Sequence, residues 1–442
     1  MSLPTSPTPV VETSSTGLAG TGVPATNTPA VGDRDEDRRA PLVEQRRDRR
    51  MMAALVAAGV ASFAQLYAIQ GVLPGIAREL SLSASTAALS VSAATTGLAV
   101  GVLLWAAVAD RIGRLPCMRI AVAGTVVLGL ATALAPGLEV LLGLRFLTGL
   151  VVGGVPVLAV AYVYEQLAGA RAAVAATVYI SGTTVGGALG RLVAGPLGAW
   201  FGWRSALLGV GLVSMVAAAL FLWLAPRERG PRPVRAGRSP GRVTESTREP
   251  GRIRQALTSA PLFVLYVQAF LVTGSFVAVF NFLTFRLEAA PFFVPAALAS
   301  LVFLAYFAGT ASSRLAGRWL SRRGFAWTSL HGVLAMIAGL AILLADRLPA
   351  IIVGLLLFTA GNFMSHAAAV ATVGARAGEA FRGQASALYN IAFYMGSSVL
   401  GWLLGLAFDA AGWLGMSCGI AVALLFVVVL NVVGLRRAAG RA

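Results

Sequence analysis

Apolar residues dominate this chain in twelve long runs, and polar residues are concentrated in the short segments between them. A helix needs about 20 mostly apolar residues to cross a hydrocarbon core of roughly 30 Å, and each run is long enough to do so. The pattern therefore predicts twelve membrane-spanning helices. Their predicted bounds are 51–76, 86–109, 117–136, 139–165, 172–200, 204–225, 259–286, 292–314, 325–345, 348–375, 382–408 and 412–435.

Two polar segments interrupt this pattern and divide the chain. Residues 1–50 are rich in Pro, Thr and Ser and then strongly charged, which predicts a disordered tail. Residues 226–257 place five prolines among nine arginines, which predicts a flexible linker. The predicted organisation is therefore the tail 1–50, a six-helix bundle 51–225, the linker 226–257, a six-helix bundle 258–435 and a short tail 436–442.

The two bundles repeat each other at an offset of about 210 residues, as internally duplicated membrane proteins do. The most specific match pairs Gly202-Trp203 with Gly412-Trp413. Other matches pair Arg111 with Arg322, Gly113 with Gly324, Arg171 with Arg382, Tyr179 with Tyr389, Gly186 with Gly396 and Gly195 with Gly405. The predicted fold class is an all-α integral membrane protein whose twelve transmembrane helices form two pseudo-symmetric six-helix bundles.

The charges then give the orientation. The formal net charge is +17 although only 12% of the residues are charged, and every basic side chain is an arginine. Arginines cluster in the two tails, in the linker and in segments 111–119 and 314–323, whereas the loops on the other side carry only isolated ones. This alternation follows the positive-inside rule and predicts a bacterial inner (plasma) membrane protein with both termini cytoplasmic. It favours the lipid bilayer over nucleic acid as the partner of these charges.

A short loop motif points to a family. Residues 106–114, Ala-Ala-Val-Ala-Asp-Arg-Ile-Gly-Arg, lie between the second and third runs. They resemble the signature Gly-x-Leu-Ala-Asp-Arg-x-Gly-Arg-Arg of the major facilitator superfamily (MFS), with Ala106 for the first Gly and Leu115 for the last basic residue. Residues 317–324 resemble a second copy in which Ser321 replaces the Asp, and 145–149 resemble the Arg-x-x-Gln-Gly motif with Thr148 for Gln. The resemblance covers about 51–435 and implies a monomeric secondary transporter of a small-molecule substrate.

The resemblance assigns the loop motif to a cytoplasmic gate. It implies that Asp110 faces the start of helix 11 near Arg382, where a helix dipole favours an anion. Gly113 permits the tight turn, and Arg111 and Arg114 can pair with acids such as Glu165. Such pairs would hold the cytoplasmic side shut in the outward-facing state and break when it opens inward. The alternative is a solvated loop that only fixes the topology.

Two arginines are predicted inside the membrane. Arg145 in helix 4 and Arg191 in helix 5 would each cost roughly 2.5–3.5 kcal/mol on insertion scales, so both are expected to face the protein interior. Snorkelling of the side chain to the headgroups is the alternative. The resemblance links Arg145 to proton or substrate coupling, and Arg191 is a second coupling candidate. No carboxylate is predicted at mid-membrane, which favours neutral or anionic solutes over large cations.

In the MFS, helices 1, 4, 7 and 10 line the cavity, so their polar residues are the substrate-cavity candidates. These candidates are Tyr67, Gln70, Gln268, Asn281, Asn362 and His366. Each can instead be an interhelical hydrogen-bonding group. His366 is also a coupling candidate because a histidine can titrate near physiological pH.

The motifs narrow the function to transport. Residues 179–204 resemble the bacterial drug/arabinose-efflux-permease-like branch, which favours proton-coupled efflux; facilitated or symport uptake of a small neutral or anionic metabolite is the alternative. The sequence has no Walker loop for ATP, no metal-ligand motif around its two histidines and no catalytic carboxylate pair. We therefore expect no metal, no cofactor other than coupled protons and no enzymatic activity, although a polytopic membrane enzyme is the rival class.

Overall fold

The computed structural model describes residues 31–227 and 250–439. Within these ranges the chain is helical apart from turns, and no strand forms. Nine of the described helical stretches are long and apolar enough to cross a membrane. Three of the nine are bent at an interior glycine with non-helical backbone angles, namely Gly202, Gly324 and Gly412. Divided at these glycines, the nine stretches give the twelve spans that the sequence predicts.

The first half of the molecule comprises α1 to α6 and the second half α7 to α12. The spans are α1 (Glu44–Glu79), α2 (Ala84–Ile112), α3 (Arg114–Thr132), α4 (Leu138–Gln166), α5 (169–201), α6 (203–224), α7 (Ala260–Glu288), α8 (296–323), α9 (325–342), α10 (Leu348–Gly378), α11 (381–411) and α12 (413–434). A short helix, Pro250–Thr258, precedes α7.

The ends of the halves differ from the predicted bounds. The helix that contains α1 begins at Val31, so residues 31–50 are helical where a disordered tail is predicted. Of this segment, residues 31–48 belong to a different unit from the chain that begins at Arg49. Helix Pro250–Thr258 occupies the end of the predicted linker, and the last helix continues to Ala439. The remainder of the predicted tails and linker lies outside the described residues.

Backbone geometry supports the internal repeat. The glycines with positive φ among the described residues fall into three pairs separated by about 210 residues. Gly113 and Gly324 have φ of 90° and 77°, and Gly202 and Gly412 have φ of 82° and 61°. The third pair comprises Gly169, the first residue of α5, and Gly378, the last residue of α10; the sequence analysis missed this pair. Since non-glycine residues are strained at such angles, the glycines mark turns that the two halves share.

The two halves pack together at one end of the molecule. We call the end with residues 110–114, 166–169, 314–324 and 376–382 the basic end, and the end with residues 79–84, 133–138, 200–204, 288–296 and 405–412 the distal end. Along α2 no residue of 84–99 is exposed, whereas eight of the thirteen residues 100–112 are. Along α5 no residue of 186–198 is exposed. Helices α2 and α5 are therefore enclosed only toward the distal end.

The apolar cores show the same asymmetry. The second half has a large aromatic core that includes Phe280, Phe303 and Phe358, and Ala84 and Ala88 at the start of α2 belong to this core. The first half thus contributes directly to the packing of the second half at the distal end.

Candidate functional site

Arg191 of α5 lies where the halves meet near the distal end, and only 2% of it is exposed. Its Nε donates to Oε1 of Gln70 at 2.7 Å and its Nη1 to the carbonyl oxygen of Gly187 at 2.9 Å. Its Nη2 donates to the hydroxyl of Tyr306 at 3.2 Å. Gln70 in turn donates from Nε2 to Oδ1 of Asn281 at 2.6 Å. Asn281 and Tyr306 belong to the second half, so Arg191, Gln70, Asn281 and Tyr306 form a hydrogen-bonded link between the halves, here called the arginine network.

Aromatic rings surround the guanidinium of Arg191. Its Cζ lies 4.2 Å from the ring centroid of Tyr67, 4.7 Å from that of Tyr306 and 5.1 Å from that of Phe303. Rings at these distances stabilise a cation through their quadrupoles. No described carboxylate forms an ion pair with this arginine. The positive charge is held by neutral groups alone.

Arg145 of α4 is buried as predicted, with 1% exposure, so it does not snorkel. Its Nε donates to the carbonyl oxygen of Ser90 at 3.1 Å and its Nη1 to that of Gln65 at 3.0 Å; its Nη2 donates to the carbonyl of Leu66. The α-helix of α1 changes to a 3₁₀ turn after Tyr67, which interrupts the regular helical hydrogen bonding beside these carbonyls. Arg145 thus ties α1, α2 and α4 of the first half together.

The other cavity candidates lie inside the second half. Gln268 donates to the hydroxyls of Ser329 and Ser365 at 2.7 and 2.8 Å, which ties α7 to α9 and α10. Nδ1 of His366 lies 2.9 Å from the hydroxyl of Tyr389 in α11. Asn362 is 6% exposed. Gln268 and His366 border a small crevice that the structure places between α7, α10 and α11.

Further contacts close the distal end. The hydroxyl of Ser92 in α2 donates to the carbonyl of Ser398 in α11 at 2.9 Å, and the hydroxyl of Ser398 donates to the carbonyl of Ser92 at 2.9 Å. The Ser398 hydroxyl also lies 2.6 Å from Oγ1 of Thr96. Helix α11 has a π-helical turn over Gly396–Leu400 at this contact, and such turns occur often at functional sites. We call Ser92, Thr96 and Ser398 the serine contact.

Two acids complete the distal closure. The backbone N–H of Ser85, in the first turn of α2, lies 3.3 and 3.2 Å from the two carboxylate oxygens of Asp409 at the end of α11. Nη1 of Arg78 lies 2.6 Å from Oε2 of Glu288, which links α1 to α7.

The predicted gate residues at the basic end do not link the halves here. Gly113 forms the predicted tight turn, and Arg114 forms an ion pair with Glu165. Both partners of this pair belong to the first half, so the pair does not itself join the two halves. Asp110 and Arg111 are exposed, and the Nε of Arg382 donates to the carbonyl of Gly374 in its own half at 3.3 Å.

The structure therefore brings together Tyr67, Gln70, Asn281 and Arg191 where the halves meet. Gln268 and His366 meet at the separate crevice of the second half, and Arg114 meets Glu165 at the basic end. Sequence reasoning missed Tyr306, Phe303, Ser398 and Asp409, because only the packing of α5 on α8 and of α2 on α11 places them at the contact. Among the described residues no cluster of three His, Cys, Asp or Glu side chains could hold a metal ion.

Comparison with known proteins agrees with this architecture. Residues 55–401 match the model of the Major Facilitator Superfamily. The chain is 36% identical over 383 residues to the inner membrane transport protein YnfM of Escherichia coli K12, covering 87% of this chain and 89% of that protein. It is 33% identical over 370 residues to the uncharacterized MFS-type transporter YybF of Bacillus subtilis 168, covering 83% and 89%.

A solved structure shares the fold. It is the crystal structure of a bacterial homologue of the human lysosomal transporter Spinster in an inward-facing, unoccupied conformation. The TM-score is 0.67 at 18% identity, and the match covers 88% of this chain and 95% of the other.

Proposed function

Because this chain belongs to the Major Facilitator Superfamily and is a multi-pass membrane transporter, we propose that it exports a small solute by alternating access, coupled to proton entry. The observation that carries the proposal is the one-sided contact between the halves. The arginine network and the serine contact close the distal end, while α2 and α5 are enclosed only there. A molecule closed at one end and open at the other represents one of the two states that alternating access requires.

The orientation follows from the charges. The basic end carries the arginine-rich segments, so we place it and both termini in the cytoplasm. With this orientation, the structure corresponds to an inward-open state, and the solute enters from the cytoplasm.

Export is supported by the resemblance of residues 179–204 to efflux permeases. His366 is the coupling candidate with the clearest geometry, because its ring contacts the hydroxyl of Tyr389 and the ring of Phe393 between α10 and α11. Uptake by facilitated diffusion or symport is the second candidate. The two buried arginines pair with no carboxylate among the described residues, which suits a neutral or anionic metabolite in that case.

A proton-gradient assay in everted membrane vesicles tests the proposal. Vesicles with an acidic interior would receive neutral, anionic and cationic solutes in turn, and the loss of the gradient would be followed. We expect one class of solute to dissipate the gradient, and we expect Asp110→Asn to reduce the response about two- to fivefold because the predicted cytoplasmic closure loses a helix-terminal charge. Glu139→Gln, at an exposed distal position, is the matched control and should respond normally.

Two other results would contradict proton-coupled export. If a labelled solute crosses these vesicles without any gradient and without moving protons, the protein is a facilitator. Uptake into right-side-out vesicles that is driven by an inward proton gradient would make it a symporter.

A further inference from the structure

The two buried arginines differ in the groups that accept their hydrogen bonds. All three acceptors of Arg145 are backbone carbonyls of the first half, at Gln65, Leu66 and Ser90. These acceptors stay in place as long as the first half moves as a rigid body. Arg145 therefore has a constant environment during the transport cycle, which suits a structural role.

Arg191 has partners that must change. The Tyr306 hydroxyl belongs to the second half and leaves when the distal end opens. The Gln70 side chain loses Asn281 in the same motion, so its amide can turn away. The carbonyl of Gly187, one turn earlier in α5, is a backbone acceptor of the first half and stays in place. The environment of Arg191 is thus coupled to the movement of the halves.

The guanidinium of Arg191 also has capacity to bind a ligand. It carries five N–H groups, and three of them are used in the hydrogen bonds to the described residues. One hydrogen remains on Nη1 and one on Nη2. A carboxylate would accept two N–H groups and neutralise the charge, which a neutral ligand cannot do.

The aromatic rings near Arg191 favour a ligand that carries an aromatic ring beside its carboxylate. Tyr67 and Tyr306 beside the guanidinium are half-buried. The ring of Tyr306 continues into an aromatic wall, with centroids 5.4 Å from Phe276 and 5.9 Å from Phe363. Flat aromatic groups pack favourably against such rings in offset or edge-to-face geometry.

We propose that Arg191, with Tyr67 and Tyr306, forms the subsite that recognises the carboxylate of a small aromatic acid, and that such an acid is the transported solute. The inference rests on the proposed transport function and adds the substrate class to it. The carboxylate binds Nη1 and Nη2, and the ring of the acid packs against the aromatic wall of α7, α8 and α10.

Binding is tested on the purified full-length protein with three probes that share a ring and differ in charge: benzoate, benzamide and benzylamine. Saturable shifts in the thermal unfolding temperature would give the affinities. We expect benzoate to bind at least about tenfold more tightly than the other two, since only benzoate supplies a charged acceptor. Cyclohexanecarboxylate, with the same charge but no aromatic ring, should bind more weakly than benzoate.

Substitution locates the subsite. Arg191→Lys keeps the positive charge but loses the paired donors, so it should weaken benzoate binding about tenfold. The matched control is Arg286→Lys, at a second arginine with ring contacts, whose partners lie within the second half. This control should leave benzoate affinity unchanged. Three results would overturn the proposed subsite. The first is binding of benzamide or benzylamine that equals or exceeds that of benzoate, and the second is the lack of a saturable shift with benzoate. The third is full benzoate affinity in Arg191→Lys.

Transport in proteoliposomes separates this proposal from the function on which it rests. If benzylamine or benzamide crosses the membrane and benzoate does not, the transport function stands and the anion subsite is wrong. If benzoate binds through Arg191 but no probe crosses, the subsite stands and the proposed function is wrong.

Discussion

Helices α2 and α11 run side by side, and their two ends are in different states. At the distal end, the first turn of α2 faces the carboxylate of Asp409, and the serine contact joins the helices about two to three turns further on. At the basic end, Asp110 occupies the last turn of α2, is exposed, and has no hydrogen bond or ion pair with another described side chain. Each helix of the pair therefore carries an aspartate in its last turn. In this structure Asp409 contacts the first turn of the neighbouring helix, whereas Asp110 does not.

The comparison shows how one pair of helices can serve two states. A carboxylate at a helix N-terminus interacts favourably with the unpaired N–H groups and the helix dipole. Asp409 gains this interaction with α2 when the distal end is closed. The pseudo-symmetric arrangement predicts that Asp110 gains it with α11 when the basic end is closed. The two aspartates would then stabilise opposite states by similar amounts.

The largest effect is expected when a covalent cross-link keeps the distal end closed. Ser92→Cys with Ser398→Cys should form a disulfide, because these residues exchange two hydrogen bonds of 2.9 Å. With Cys117 and Cys418 replaced by serine, oxidation should abolish transport and reduction should restore it. Either single cysteine variant is the control and should be insensitive to oxidant. Full transport by cross-linked protein would show that the distal end does not need to open.

A smaller effect is expected from a methyl group that creates a steric overlap at the distal contact. A Cβ at Gly195 of α5 would overlap the side chain of Ser300 in α8, across the two halves. Gly195→Ala should therefore push the halves apart and raise maleimide labelling of an Ala88→Cys reporter, which is fully buried at this contact. Gly317→Ala near the basic end of α8 is the matched control because nothing lies within 4 Å of its added methyl group. Equal labelling in the two variants would mean that α5 and α8 do not limit opening.

Substitutions of Asp409 and Asp110 should change the labelling of the reporter cysteine in opposite directions. Asp409→Asn should raise labelling of the Ala88→Cys reporter, and Asp110→Asn should lower it, because each removes a charge that stabilises one of the two closed ends. Helix-terminal charges contribute typically about 0.3–1 kcal/mol, so we expect changes of about two- to fivefold. Shifts in the same direction would refute the symmetric role of the two residues.

The fold could be predicted from the sequence because it depends on local signals. Runs of apolar residues set the number of spans, and the paired turns at Gly113 and Gly324 and at Gly202 and Gly412 are visible as repeats. The site was predicted only in part. Arg191, Gln70 and Asn281 can be recognised from the sequence because they are polar residues inside apolar helices. Tyr306 and Asp409 do not, because their roles depend on which helix of the other half lies opposite.

The gate illustrates a different limit. The sequence correctly suggested Glu165 as a partner for Arg114, and the ion pair forms. Both residues lie in the predicted bundle 51–225, so their membership of one half follows from the sequence. Only the packing of α4 against the start of α3 shows that the two side chains meet. The static charge pattern also contains no information on which end is closed.

The smallest effect is expected at the rim of the distal end, where Arg78 and Glu288 link the halves. The side chain of Arg78 is 64% exposed, so water and salt screen the pair strongly. Exposed ion pairs contribute about 0–1 kcal/mol, and Arg78→Gln should therefore change labelling of the Ala88→Cys reporter less than Asp409→Asn does. Whatever difference remains should disappear at high salt, whereas the effect of Gly195→Ala should persist because it is steric. A large, salt-insensitive effect of Arg78→Gln would place the main distal closure at the rim, and the contacts of α2 with α11 would then be secondary.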